Sequence, residues 1–142
     1  QIILFNTEAQ FALPETQGRW LEVANNDQVE RVITSVRETL PSGGTSLYNA
    51  FEFLNELDSK PDNIFIITDG LPTQGRDTPR KNTVSGPARL KHYRDAIDKL
   101  PANVPVNVVL SPMEGDPMAA SEFWKLAQNT GGSFMAPAED WP

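Results

Sequence analysis

Asn63-Ile64-Phe65-Ile66-Ile67-Thr68-Asp69-Gly70 is the stretch that decides the fold. Four large apolar residues stand in a row, three of them β-branched, and Thr-Asp-Gly follows at once. Polar and apolar residues do not alternate, so the pattern predicts a strand wetted on neither face, in the middle of a sheet with helices on both sides. Asp69 then stands where the buried strand ends, and Gly70 lets the chain turn into Leu71-Pro72-Thr73. In open α/β sheets, ligands bind at the carboxyl ends of the strands. A carboxylate there suits a metal or ligand, although Asp-Gly is also an ordinary turn pair.

Other elements follow outward from this strand. Ile2 to Phe5 is a second apolar run, and Ala9 to Leu13 reads as its hairpin partner across Asn6-Thr7-Glu8. Asp27 to Leu40 has helical spacing through Val29, Val32, Ile33, Val36 and Leu40, with Asp27 and Glu30 as a capping box. Pro41 stops it. Ser42-Gly43-Gly44-Thr45-Ser46 leads into a second helix with Leu47, Ala50, Phe51, Leu54 and Leu57 on one face. Thr45 sits where an N-cap hydroxyl belongs, or where a hydroxyl can turn to a cation on the sheet edge that carries Asp69.

A polar loop from Leu71 to Gly86 precedes a helix from about Pro87 to Leu100, with Leu90, Tyr93, Ile97 and Leu100 inward. Val104 to Leu110 is a further strand, with Pro105 at its start. Asp116-Pro117 opens a helix burying Ala120, Phe123, Trp124 and Ala127, which Gly131-Gly132 ends before a short strand at Ser133 to Ala136. Strands and helices alternate from the second helix onward. The expectation is one α/β domain over residues 1–142, a three-layer Rossmann-like sandwich with a mostly parallel sheet and one antiparallel edge strand.

Composition narrows the function. A net charge of −7 argues against general nucleic-acid binding. No apolar run reaches the ~20 residues of a membrane span, and no secretory leader pattern occurs. The opening Gln1-Ile2-Ile3-Leu4-Phe5 reads as the inside of a domain, and the compartment stays open. Without cysteine and with His92 alone, neither thiolate nor multi-histidine metal sites can form within the chain. His92 lies in a helical pattern beside Lys91 and Tyr93 and reads as a surface residue. Arg76, Arg80, Lys81, Arg89, Lys91 and Arg94 supply six of the twelve Lys and Arg, a local basic excess that reads first as a solvated loop and helix start. Nucleophile-elbow, phosphate-loop and dinucleotide signatures are absent from the sequence. The oxygen donors Thr45 and Asp69 remain, and such oxygens suit a hard cation.

Gly43-Gly44-Thr45 before a helix, then Phe65-Ile66-Ile67-Thr68-Asp69-Gly70 ending a strand, resembles the von Willebrand factor type A domain. So do Val104-Pro105-Val106-Asn107-Val108-Val109 and the helix closing with Leu126-Ala127 and Thr130-Gly131-Gly132. The Trp141-Pro142 ending is more similar to bacterial members. The resemblance implies a binding module, not an enzyme, with Mg²⁺ or Mn²⁺ at the sheet's carboxyl edge. Thr45 and Asp69 would be its metal ligands, with Gly44, Ser46, Gly70, Leu71 and Pro72 in the ligand-face loops. A partner protein's acidic residue would complete the coordination.

The family's Asp-x-Ser-x-Ser is not in this chain. Its first strand and first helix would be missing, and that strand belongs between Ile2–Phe5 and Ile64–Thr68. The expectations are therefore weak or absent metal binding, an uncovered apolar face, and self-association or pairing with the missing N-terminal segment. The strands at Ile2–Phe5 and Ile64–Thr68 could instead pair directly. The alternative function is a Mg²⁺-dependent hydrolase of phosphorylated substrates built on Asp69 and Thr45.

Overall fold

The computed structural model describes residues 1–79, 83–111, 113 and 115–137. It is an α/β arrangement with two sheets. Strands β1 (Ile3–Phe5) and β2 (Ala9–Phe11) form an antiparallel hairpin with Leu4 opposite Gln10. Its turn is closed by Asn6, whose N–H donates to the Glu8 carbonyl at 2.9 Å and whose Oδ1 accepts from the Glu8 N–H at 3.1 Å. Strands β3 (Ile64–Thr68), β4 (Val106–Leu110) and β5 (Phe134–Met135) form a second sheet in the order β3-β4-β5, parallel throughout. Four helices accompany them among the described residues: α1 (Asn26–Glu38), α2 (Leu47–Asn55), α3 (Gly86–Ile97) and α4 (Ala119–Thr130). A 3₁₀ turn at Pro14–Thr16 follows the hairpin.

The core lies on one face of the parallel sheet. Ile64, Ile66, Val106, Val108 and Leu110 pack with Leu47 and Phe51 of α2, Tyr93 and Ala96 of α3, and Phe123 and Leu126 of α4. Period-two alternation places Phe65, Ile67, Asn107, Val109 and Met135 on the opposite face. That face is open: Phe65 is 72% and Ile67 73% exposed. The expectation that this strand is wetted on neither side is therefore corrected. Apolar residues at every position show that a strand tolerates cover on both faces, but the described residues bring helices to only one. The expected third layer is not supplied by them.

The hairpin does not join the parallel sheet, so the direct pairing of β1 with β3 does not occur. Each of these strands has one paired neighbour among the described residues.

Several local expectations change. Asn25, not Asp27, caps α1, its side chain accepting from the Gln28 N–H. The apolar stripe of α1 stays largely outside the core, with Val29 and Val32 half-buried and Ile33, Val36 and Leu40 exposed. Trp124, expected inside, is 49% exposed because α4 turns Phe123, Leu126 and Ala127 to the sheet instead. Gly131 ends α4 in the left-handed conformation, at φ 75°, as the sequence predicts. Arg80, Lys81, Pro112 and the Glu139–Pro142 tail lie outside the described residues.

The two faces of β3 should respond differently to mutation. Ile66→Ala is expected to cost about 2–5 kcal/mol, as for other buried aliphatic truncations. Phe65→Ser should stay within about 0.5 kcal/mol, as surface changes do. Urea unfolding of both variants checks the difference.

Candidate functional site

The candidate site is the rim formed by the loop into α2 and the loop out of β3. Thr45 and Asp69 come from different loops, and hydrogen bonds join those loops. The N–H groups of Thr73 and Gln74 donate to the Thr45 carbonyl at 3.0 and 3.1 Å, and the Thr45 N–H donates to Thr73 Oγ1 at 2.8 Å. The stretch leaving Asp69 is thereby laid across the entrance to α2, and both residues belong to one end of the molecule.

Ser46, not Thr45, caps α2. Its hydroxyl accepts from the Asn49 N–H at 3.1 Å and donates to the Gly75 carbonyl at 2.7 Å, so it fastens the same two loops a second time. Ser46 is fully buried. The capping role expected at Thr45 is thus taken by its neighbour, and among the described residues the Thr45 hydroxyl has no hydrogen-bond partner. Thr45 is half-buried and Asp69 exposed. The other residues expected in the ligand-face loops lie lower. Gly44 is half-buried, while Gly70, Leu71 and Pro72, which follow Asp69, are buried, as is Ser46, which follows Thr45, so the rim rests on a buried floor.

That floor is held by charge. Leu71 donates its N–H to Asp116 Oδ2 at 2.7 Å, and its carbonyl accepts from Nε of Arg89 at 3.1 Å and from the same guanidinium's Nη2. Arg89 and Asp116 are themselves an ion pair at 2.9 Å, with side chains 13% and 5% exposed. Asp116 was expected to cap the following helix; its carboxylate turns to Leu71 instead. Arg89 belongs to the basic run read as solvated, yet it is enclosed. One signal was available. Arg89 precedes Tyr93 by four residues and Ala96 by seven, which places it on the inward stripe of α3.

Gln74 was also missed. It is fully buried; its Nε2 donates to the Thr7 carbonyl at 3.3 Å, and its Oε1 has no donor within reach. A methyl group on Gly44 would stand 2.6 Å from that oxygen and 3.0 Å from Thr73 Oγ1. Gly44 therefore serves close approach of the two loops, and its Cα–H faces Oε1 as a weak donor. His92 is half-buried, its Nδ1 lying 3.1 Å from where a Gly75 Cβ would be. Burial lowers its pKa from the ordinary value, Asp95 opposing the shift and Lys91 adding to it. Tyr93, the next residue, donates its hydroxyl to the Glu122 carbonyl at 2.9 Å, and burial, with Glu122 second, raises its pKa.

The donors at the rim are hard oxygens, a hydroxyl and a carboxylate, which fit Mg²⁺ or Mn²⁺ in kind. They are few. Among the described residues no cluster of three or more His, Cys, Asp or Glu gathers around a common point. Water or another chain would have to fill most of an octahedral shell. Comparison of the chain with family models, with curated proteins and with solved structures finds no match.

Two outcomes follow for the rim. Ser46→Ala should destabilise the protein by about 1–2 kcal/mol through loss of the cap, whereas Thr45→Ala should cost well under about 0.5 kcal/mol; denaturant midpoints distinguish them. His92 gives a pH dependence of definite sign. Its lowered pKa means the folded chain binds a proton less readily than the unfolded chain. Its contribution is complete above the ordinary value of 6.5 and is lost as pH falls below that value toward the folded pKa. Urea midpoints at about pH 7.5 and about pH 5.5 should therefore fall on acidification, and by less in His92→Gln.

Proposed function

We propose that this chain is a protein-binding module of the von Willebrand factor type A kind. Its rim would help hold Mg²⁺ or Mn²⁺ against an acidic residue of a partner protein. The observation that carries the reading is the double fastening of the Thr45 loop to the loop leaving Asp69. It leaves a hydroxyl that caps nothing on a loop fastened to the one that follows an exposed carboxylate at the carboxyl end of a parallel strand. These are the donor types a hard cation takes. Thr45 and Asp69 would hold the ion, whose contribution would be to accept a carboxylate oxygen. The buried Ser46, Gly70, Leu71 and Pro72 would support the rim.

The site is incomplete in this reading. Two side chains cannot encircle the ion, and among the described residues β3 has a free edge beside an uncovered apolar face. A further strand carrying Asp-x-Ser-x-Ser would pair with that edge and bring the remaining oxygens. Exposed strand edges recruit such partners. Without one, the chain would associate with itself.

Titration calorimetry tests this directly. Mg²⁺ should bind the chain alone more weakly than about 1 mM, a level worth roughly 4 kcal/mol. Added strand peptide ending in Asp-x-Ser-x-Ser should tighten binding at least tenfold, and Asp69→Ala should abolish the gain. Micromolar Mg²⁺ affinity for the chain alone would overturn the incompleteness; absence of any gain with bound peptide would overturn the metal reading. Sedimentation should show concentration-dependent association, and a monomer at every concentration would count against the free edge as a recruiting surface.

A further inference from the structure

We propose that Arg89 and Asp116 are positioning residues of the rim, acting on Asp69 through the backbone of Gly70 and Leu71. Three separate segments meet there: the loop after β3, the first turn of α3, and the segment before α4. Both hydrogen-bonding groups of the Leu71 peptide are taken by the charged pair, the N–H by Asp116 Oδ2 at 2.7 Å and the carbonyl by the guanidinium of Arg89. The pair closes on itself at 2.9 Å, making a ring of contacts around one residue. Leu71 is 1% exposed, so no water competes for these groups. Hydrogen bonds to charged groups are the stronger kind, and here both ends of one peptide receive them.

Asp69 is separated from this ring by Gly70 alone. On its other side its carbonyl accepts from the Met113 N–H at 3.2 Å, and Thr68 before it gives its carbonyl to Ser111 at 2.9 Å. The backbone of Asp69 is therefore fixed on both flanks while its side chain stays exposed. A general structural ion pair has no need to grip a peptide next to an exposed acid. This one leaves the acid unable to follow the loop away from the rim.

Gly70 gives the arrangement an independent handle. A methyl there would stand 2.7 Å from Asp116 Oδ2 and 3.0 Å from Arg89 Nη2. Gly70→Ala thus forces the pair apart from Leu71 without removing either charge. If the pair acts as a clamp, Gly70→Ala and Asp116→Asn damage the same thing, and their effects do not add.

Amide hydrogen exchange on the full chain tests the clamp. In Asp116→Asn and in Gly70→Ala, the Leu71 amide should exchange about tenfold faster or more, the scale of a hydrogen bond to a charged group. The β4 amides Val106 to Leu110, which report opening of the core, should change several-fold less. The double variant should be no worse than the poorer single. Equal acceleration at Leu71 and β4, or an unchanged Leu71, would overturn the proposal.

The link to Asp69 rests on the metal reading above and is measured separately, with Mn²⁺ broadening of the Asp69 amide resonance as the probe. The variants should need several-fold more Mn²⁺ for half-broadening. An unshifted Mn²⁺ response beside a loosened Leu71 would overturn the positioning role. If Mn²⁺ leaves Asp69 unbroadened in the unaltered chain even with the Asp-x-Ser-x-Ser strand peptide bound, the metal reading falls, and the exchange data still decide whether Arg89 and Asp116 hold the loop.

Discussion

Helix α2 is held between two sheets that share no backbone ladder. On the hairpin side, Phe53 meets Phe11 edge-on at 5.0 Å, the Ser46 N–H donates to the Asn6 carbonyl at 2.7 Å, and Asn49 Nδ2 donates to the Thr7 carbonyl at 2.7 Å. On the other side Leu47 and Phe51, each 1% exposed, pack into the core with Ile64 and Ile66. Fully burying side chains of this size stabilises by about 1.5–3 kcal/mol each, so packing replaces the strand pairing that is absent. The turn that begins this helix also carries Thr45. The joint between the sheets and the candidate chemistry therefore occupy one short piece of chain.

Charge plays a different part from the one composition suggests. The basic run from Arg76 to Arg94 stands out against a chain of net charge −7, but Arg89 spends its charge inside. Lys91 pairs with Asp95 one turn along α3, and exposed pairs of that kind contribute little to stability. Arg76 and Arg94 are exposed; in the proposed reading they would steer an acidic partner, an influence that salt screens. Arg89 therefore adds little to the surface field, and the interior is more polar than the composition implies.

The sequence carried the elements well and the faces poorly. Apolar spacing located the hairpin, β3, β4 and all four helices, because each pattern repeats over enough residues to separate the two periods. It placed Thr45 and Asp69 in loops that do prove to be joined. It misjudged which side of each element would be covered. Phe65, Ile67 and Trp124 are apolar by type, and type says what a residue tolerates, not what lies next to it. Cap assignments slipped by one or two residues, from Asp27 to Asn25 and from Thr45 to Ser46, since neighbouring polar residues compete for one position. The Arg89–Asp116 pair joins residues twenty-seven apart in sequence by a fold that no local pattern encodes.

The bare side of β3 separates two ways in which this protein can be lost from solution. Heat acts on Ile64, Ile66 and the helices beneath them, within each molecule. Phe65 and Ile67 belong to no such balance, for they meet water whether the fold is intact or not. Their contribution to precipitation grows with the number of molecules present, so a sample of this protein can be thermally sound and still short-lived when concentrated.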